Sequence, residues 1–561
     1  MAREKKAKKV KAEPVSKRAV SVKGILISLL VTIVFGGIYF YMALPALNPQ
    51  SGDFWVFLIL LLVVYMASSL ITMGVRVQRG DVTEVPRALK ANCKVPLILA
   101  AAILAVCLVG SLISAPIFHA KGYYNLLDVQ DGDFTQDVAE ISYSEIPMLD
   151  RDSSVQLGRR ALGALGSDSN LVSQFEISDE EYSQINYQGE PVRVAPLVYG
   201  NIIKWFNNRA QGLPGYIIVN MVTQEADLVQ LEEGMKYSTG EHFGRNLYRL
   251  LRFRYPTMMF GDVNFEIDEE GTPYWICSRV VRRIGLFGGT DNQGAVLVNA
   301  VTGESQYMEE VPTWVDRVYS ADLLVTQYNY HGKLVNGWIN SWLGQKGITT
   351  TTEGYNYIAM NDDVYLYTGV TSAGGDQSNV GFILINQRTK DARYYPVSGA
   401  TEYSAMSSAQ GAVQHLNYTA TFPILLNISD QPTYFMSLKD SAQLVKMYAM
   451  VNVADYQITA TGTSVAECQQ NYEQLLLENG VQVTDPTVDT GETEEISGTV
   501  ADIRSAVVEG NTIFYFSLGD DVFYAVSAAD CQEAVTYDVG DRVTITYYPG
   551  EGSILTGVKV E

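Results

Sequence analysis

Three long apolar runs open the chain, and shorter alternating stretches follow them. The runs are Gly24–Leu44, Phe54–Gly74 and Val95–Phe118. Each is long enough to cross a hydrocarbon core of roughly 30 Å as a helix. None contains Asp, Glu, Lys, Arg or His, so they offer no foothold for a proton relay or ion path and read as anchors. The first is too long for a signal-peptide core, and no small-x-small cleavage pattern follows it. Flanking charge sets the expected orientation. The leading segment is strongly basic, and the loop 75–94 carries Arg76, Arg79, Arg87, Lys90 and Lys94, while Pro45–Asp53 has no Lys or Arg. The positive-inside rule then places the N-terminus and the 75–94 loop in the cytoplasm, and residues from about 119 outside the cell membrane.

Beyond 119 one pattern recurs: an apolar strand, an Asn, a short turn and a second strand. It occurs as GYIIVNMVTQEADLV (215–229), GAVLVNAVTGESQYM (294–308) and GFILINQRTKDARYY (381–395), and more loosely as KMYAMVNVADYQITA (446–460). The aligned residues are Asn220, Asn299, Asn386 and Asn452, irregularly spaced, as in diverged globular units rather than a tight solenoid. An earlier strand pair with a polar turn precedes the hairpin, as in 265–281, 357–371 and 423–438. A helical stretch follows each hairpin, at His242–Arg252, Thr313–Gln327, Tyr403–His415 and Ser464–Glu478. One unit therefore reads as four strands and a helix that covers its sheet.

The expected fold class is a membrane-anchored multidomain protein: three N-terminal transmembrane helices, α+β repeats rich in antiparallel β-structure, and a small C-terminal β-barrel. The expected divisions are a basic tail 1–23, the spans 24–118, an irregular juxtamembrane segment 119–174, and repeats at 175–264, 265–350, 351–420 and 421–480. The polar, acidic stretch 481–496 reads as a flexible linker. Five short alternating strands in 497–561 suggest an OB-like barrel.

The hairpin Val298-Asn-Ala-Val-Thr-Gly-Glu304 resembles the strand-turn signature of PepSY domains. That family usually has Asp where this chain has Asn220, Asn299 and Asn386, and its Gly is kept only at Gly303. The resemblance covers short motifs within 175–480. It implies small extracytoplasmic α/β modules that restrain peptidases or serve accessory roles in the cell envelope.

Charge narrows the function further. Residues 1–118 net +9, and residues 119–561 net −31. An acidic surface of this size repels nucleic acid and anionic lipid headgroups. The C-terminal segment has aromatics at Phe514, Tyr515, Phe516, Phe523 and Tyr524, but only Arg504, Arg542 and Lys559 against ten acidic residues. A single-strand groove needs both aromatics and a basic track, so these aromatics are expected to be core and cross-strand pairs. Cys93, Cys107, Cys277, Cys468 and Cys531 form no CxxC pair, which removes zinc and thioredoxin readings. The three beyond 119 allow one disulfide or none, and domains with ordinary cores favour none. His119, His242, His331 and His415 are scattered, so neither metal nor cofactor is expected.

No G-x-S-x-G, H-E-x-x-H or Walker loop is present. GLFGGTDNQG (285–294) reads as a long hairpin loop, and DVQDGDFTQD (128–137) as a solvated loop without EF-hand spacing. Asp268/Glu269/Glu270 and Asp362/Asp363 fall at expected turn tips, where solvated charge is the default. One basic concentration stands out: Arg245, Arg249, Arg252, Arg254, Arg279, Arg282 and Arg283. These either meet an anionic partner or pair with carboxylates of the same domain. The expected function is non-catalytic, a bacterial envelope protein with an extracellular binding or scaffold ectodomain that holds an envelope protein, with regulation of a surface peptidase implied by the resemblance. The alternatives are a cell-wall-acting enzyme, and a membrane sensor that signals through another protein.

Overall fold

A computed structural model describes residues 22–72, 93–139, 146–164, 171–360, 362–372, 378–481, 494–508, 511–519, 522–528, 531–547 and 554–560. The basic N-terminal tail, the charged residues Arg76 to Lys90 and most of the acidic linker lie outside the described residues. Contacts divide the chain into two compact units, one running essentially to Val481 and one from Gln482 to the end.

Three helices, Val22–Ala43, Gly52–Thr72 and Lys94–Ile113, are long and apolar enough to cross a membrane. Side chains such as Leu26, Ile33, Ile98 and Leu108 are exposed, as a lipid-facing surface requires. The third run does not continue as one helix to Phe118. It ends at Ser114, and a second helix, Pro116–Tyr124, begins with Pro at its first turn. Proline cannot donate to the preceding turn and clashes with it, but suits the start of a helix.

Both the connection between the first two helices and the end of the third meet the β-rich part. Leu47 N donates to Pro256 O at 2.8 Å. Asn48 Nδ2 donates to Thr257 O at 2.9 Å, and Gln50 Nε2 to Arg282 O at 3.1 Å. Ser114 Oγ accepts from the amides of Leu286 and Phe287 at 2.9 and 3.1 Å. The connection that lacks Lys and Arg thus lies at the same end of the helices as the acidic β-rich part.

Four antiparallel meanders make up most of that part. Their strands are Ser183–Tyr187, Glu190–Tyr199, Leu213–Asn220 and Ala226–Met235 in the first sheet, and Met259–Ile267, Pro273–Ile284, Gly288–Asn299 and Ser305–Met308 in the second. The third has Asn356–Met360, Asp363–Ser372, Gly381–Asn386 and Ala392–Tyr395, and the fourth Ile424–Ile428, Gln431–Lys439, Val445–Asn452 and Thr459–Gly462. Short strands extend three of the sheets, among them Val129–Asp131, which pairs in parallel with Ala392–Tyr394. The segment 128–137 is therefore partly a sheet edge, and Arg393 pairs with Asp137 at 2.6 Å.

The recurrent Asn closes the same turn in the first three sheets and a longer one in the fourth. Its side-chain Oδ1 accepts from the amides two and three residues on: Val222 and Thr223 at Asn220, Val301 and Thr302 at Asn299, Arg388 and Thr389 at Asn386. At Asn452 the acceptor takes Asp455 N at 2.9 Å. The residue after each Asn donates back to the second strand, at Pro191, Pro273, Val364 and Pro432. Such Asx turns fix chain reversal through a short side chain rather than through glycine. Only one copy has glycine at the left-handed position: φ is +62° at Gln224, +74° at Gly303 and +72° at Lys390.

The helices pair with the sheets differently from expectation. The Ala321–Leu334 helix follows the second sheet in sequence but packs its Leu324 and Tyr328 into the core of the third, against Leu366, Val370, Ile383 and Ile385. Likewise Glu402–Ala412 packs on the fourth sheet, while Arg151–Ala164 covers the first. Each of these helices precedes the sheet it covers; Val465–Glu478 returns onto the fourth. The largest core joins the first two sheets, with Trp275, Tyr216 and Phe265 wholly buried. All five cysteines are free, and Cys277 and Cys468 lie in cores.

The C-terminal unit has six strands: Glu494–Thr499, Asp502–Val508, Asn511–Ser517, Phe523–Ser527, Arg542–Tyr547 and Ile554–Val560. The expected first strand is broken at Val500 and Ala501. Its halves lie at opposite ends of the strand path, the first beside Arg542–Tyr547 and the second beside Asn511–Ser517. Phe516 and Tyr524 are buried in its core with Val526, Val543 and Ile545.

Candidate functional cleft

The seven arginines are distributed over several internal partners rather than gathered as one free patch. The Leu247–Arg254 helix starts at an Asn246 cap, whose side chain accepts from Arg249 N. One face of it meets the first candidate span. Arg249 stacks on Tyr41 with its Cζ 4.3 Å from the ring centroid, and Arg252 Nε donates to Leu44 O at 2.9 Å. Arg252 Nη1 also donates to Met258 O at 2.7 Å. Arginine suits this role because its planar fork serves several carbonyls at once. Arg254 bonds Gly303 O at 2.6 Å, Arg279 bonds Tyr307 Oη at 2.9 Å, and Arg245 donates to Arg209 O. Arg282 reaches Thr290, and Arg283 pairs with Asp291, which also takes Lys390 at 2.6 Å.

Two other expectations change. The 285–294 stretch is no long loop: its strand begins at Gly288, and the residues before it dock on Ser114. Gly285 has φ +58°, and a Cβ there would collide with Ser114. Asp363 is not a solvated turn charge. It is buried, and Arg388 grips it with two bonds of 2.6 and 2.7 Å. Asp268 does serve its turn, accepting from Glu270 N and Thr272 N.

A polar concavity lies where three sheets converge. It is a cleft of about 680 Å³ lined from Asp150–Asp152, the first sheet at Tyr182, Ser183 and Arg193, the second at Gly261–Asn264, and the third at Tyr355–Tyr357. Arg193 sits on the second strand of the first sheet and is only 6% exposed. Its Nη2 donates to Gln184 Oε1 at 3.0 Å, and its Nε has no hydrogen-bond partner among the described residues. Burial pushes its pKa down to about 10, which still leaves it charged at neutral pH. Arg317, which donates to Tyr357 Oη at 2.9 Å and stacks over that ring, lines the same cleft, as does Arg151. Among the described residues none of these three arginines makes an ion pair with a carboxylate.

Carboxylates share the walls. Burial alone would raise Asp150, but hydrogen bonds from Lys439 and Ser153 outweigh it and hold its pKa below the ordinary value. Lys439 Nζ lies 2.5 Å from it. Burial raises Glu181 despite the bond it accepts from Thr239. Asp152, Glu180 and Asp262 complete the acidic side. Behind Arg317, Glu266 accepts from the amides of Asp316 and Arg317 at 2.9 and 3.1 Å. Burial pushes Glu266 up to about 7, and burial with the neighbouring Glu266 raises Asp316 as well. No group of His, Cys, Asp and Glu that could hold a metal occurs among the described residues.

No family model and no curated protein matches the chain. Solved structures of a mutant levansucrase from B. megaterium and of the Bacillus subtilis levansucrase are similar at 9% and 8% identity over 75% of this chain and 97% and 96% of theirs. Their TM-scores are 0.16 and 0.18, and a likeness at that level carries no argument.

Proposed function

We propose that the protein is a non-catalytic binding or scaffold protein of a bacterial envelope, held by its three N-terminal helices with the acidic β-rich part outside. Its ligand is a peptide segment of an envelope protein, and the cleft receives it. One observation carries this reading: Arg193 is a buried cation that lines a polar cleft and makes no ion pair among the described residues, since Asp150, the carboxylate whose charge it feels most, is engaged by Lys439. A buried charge is costly unless paired, so a ligand carboxylate there would supply a direct ion pair that Asp150 does not make. Asp152, Glu180 and Asp262 suit amino or guanidinium groups of the same peptide. The PepSY-like hairpins agree with a peptide ligand and with regulation of a surface peptidase. The strand path of the C-terminal unit, which returns to the broken first strand, supports an OB-like barrel serving as a second binding module.

The test is a titration of the solubilised full chain with short peptides ending in a free carboxylate or an amide. Free-acid peptides should bind better, and Arg193→Gln should erase the difference while thermal unfolding reports an intact fold. Equal binding of acid and amide forms would remove the proposal. A second reading, a cell-wall-acting enzyme, draws on the opposite shifts of Glu181 and Asp150 in one cleft, the arrangement used for acid and base roles. Under that reading Glu181→Gln abolishes turnover of wall fragments.

A further inference from the structure

Four segments that contain no Asp or Glu, 114–124, 200–212, 242–255 and 335–347, combine that absence with exposed apolar side chains near the candidate spans; 271–290 and 403–429 lack acidic residues as well. Each of the four holds exposed apolar side chains with basic residues beside them. The Ile202–Asn208 helix exposes Ile202, Ile203 and Phe206 on one face, at 59%, 69% and 58%. Phe243 and Phe253 are likewise exposed. The turn of helix after Asn336 exposes Ile339, Trp342 and Leu343, each near 70%.

These faces are continuous with the candidate spans. Phe253 packs edge-on against Phe40 of the first span, with ring centroids 5.7 Å apart. Arg249, stacked on Tyr41, donates to Phe243 O at 2.7 Å, and Phe243 lies 6.1 Å from Trp205 on the Ile202–Asn208 helix. On the other side, Trp338 packs beside Tyr123 and Leu334, so the 337–344 segment rests on the Pro116–Tyr124 helix that directly follows the third span. That helix exposes Ile117 and Phe118.

We infer that these faces lie in the headgroup layer of the same bilayer that the spans enter, so that the β-rich part rests on lipid. Short amphipathic helices with aromatics at the boundary and Lys or Arg at the edge fit such a layer. Lys121, Lys204, Arg209 and Lys346 would extend along the apolar surface toward lipid phosphates. Acidic side chains, which anionic headgroups would repel, are absent from all four segments.

The experiment uses the full chain reconstituted in vesicles of phosphatidylcholine and phosphatidylglycerol with brominated acyl chains. A polarity-sensitive fluorophore is placed at Ile203→Cys, Ile339→Cys and Leu477→Cys, each with Cys107→Ser. Leu477 is an exposed control on the Val465–Glu478 helix of the fourth sheet. Labels at 203 and 339 should be quenched several-fold more by the brominated chains than the control, and several-fold less by aqueous iodide. Iodide quenching equal to the control would overturn the inference. Protection from iodide without quenching by lipid would overturn it too, because protein, such as a second copy, would then cover these faces. In the otherwise unmodified chain, Trp342→Phe should remove a lipid-quenched component of the tryptophan emission; an unchanged component would count against the inference.

Discussion

The four turn asparagines look equivalent in sequence, but replacing each with aspartate should separate them. Aspartate keeps the oxygen that accepts the turn amides and loses the Nδ2 donor. At Asn386 that donor gives a 2.9 Å bond to Asp363 Oδ2, in a site only 2% exposed. Asn386→Asp therefore loses a bond to a charged group and sets two carboxylates face to face. The lost bond is worth about 1.5–3 kcal/mol, and a like-charge contact at an effective dielectric of 20 costs about 4 kcal/mol at 4 Å. Arg388, already bidentate on Asp363, offsets part of that repulsion. A net cost of about 2–4 kcal/mol follows, or roughly 30- to 1,000-fold easier opening of the hairpin. At Asn299 the Nδ2 donor has no hydrogen bond to another described residue, and the site is partly exposed, so aspartate should cost less than about 1 kcal/mol. Asn452 gives its donor to Tyr472 Oη at 3.1 Å, and that hydroxyl can reverse and donate to a carboxylate. The assay is native-state amide exchange in the 294–308 and 381–395 hairpins of each variant. Equal destabilisation by Asn299→Asp and Asn386→Asp would refute the reasoning, since the turn oxygen alone would then set the cost.

Stability should also depend on pH through Glu266. Its folded pKa, about 7, lies above the ordinary 4.5, so the folded state holds a proton that the unfolded chain releases. This contribution is full below about 4.5 and is lost as pH rises through 7. Unfolding midpoints in urea should fall across that window and fall less steeply in Glu266→Gln, Asp316 and Glu181 being raised as well; Asp150 and Asp291, both lowered, act only in more acidic solution. An equal slope in the variant would exclude Glu266 as the source. Ser114→Ala should leave the amides of Leu286 and Phe287 without their acceptor, at about 2 kcal/mol. Faster amide exchange at 286 and 287 reports it, and unchanged exchange would show that the dock does not depend on this hydroxyl.

The three candidate spans were legible because uninterrupted apolar runs need no tertiary information. The repeated hairpins were legible because alternation and a fixed Asn are local signals. Helix starts were not. The stretch expected to be helical at His242–Arg252 begins as a 3-10 turn, Phe243–Arg245, and the α-helix starts only at Leu247. Residues 313–320 were expected to be helical, yet Asp316 and Arg317 give their amides to Glu266 instead, and the helix starts at Ala321. The arginine concentration was visible, but its acceptors on the first span lie 208 residues away in sequence. Asp363 was misread because Arg388, 25 residues on, removes it from solvent. The cleft had no local signature at all, since its walls come from positions between 150 and 422 that only the packing of separate sheets brings together.

The clasp of Arg252 and Gln50 on one side and Ser114 on the other gives the first unit two separate points of support on its helices. A body held at two points cannot swivel about either one. The cleft therefore keeps a restricted range of orientations relative to the helices, and under the proposed function a partner confined to the same bilayer would meet it by lateral diffusion with part of its orientational search already done.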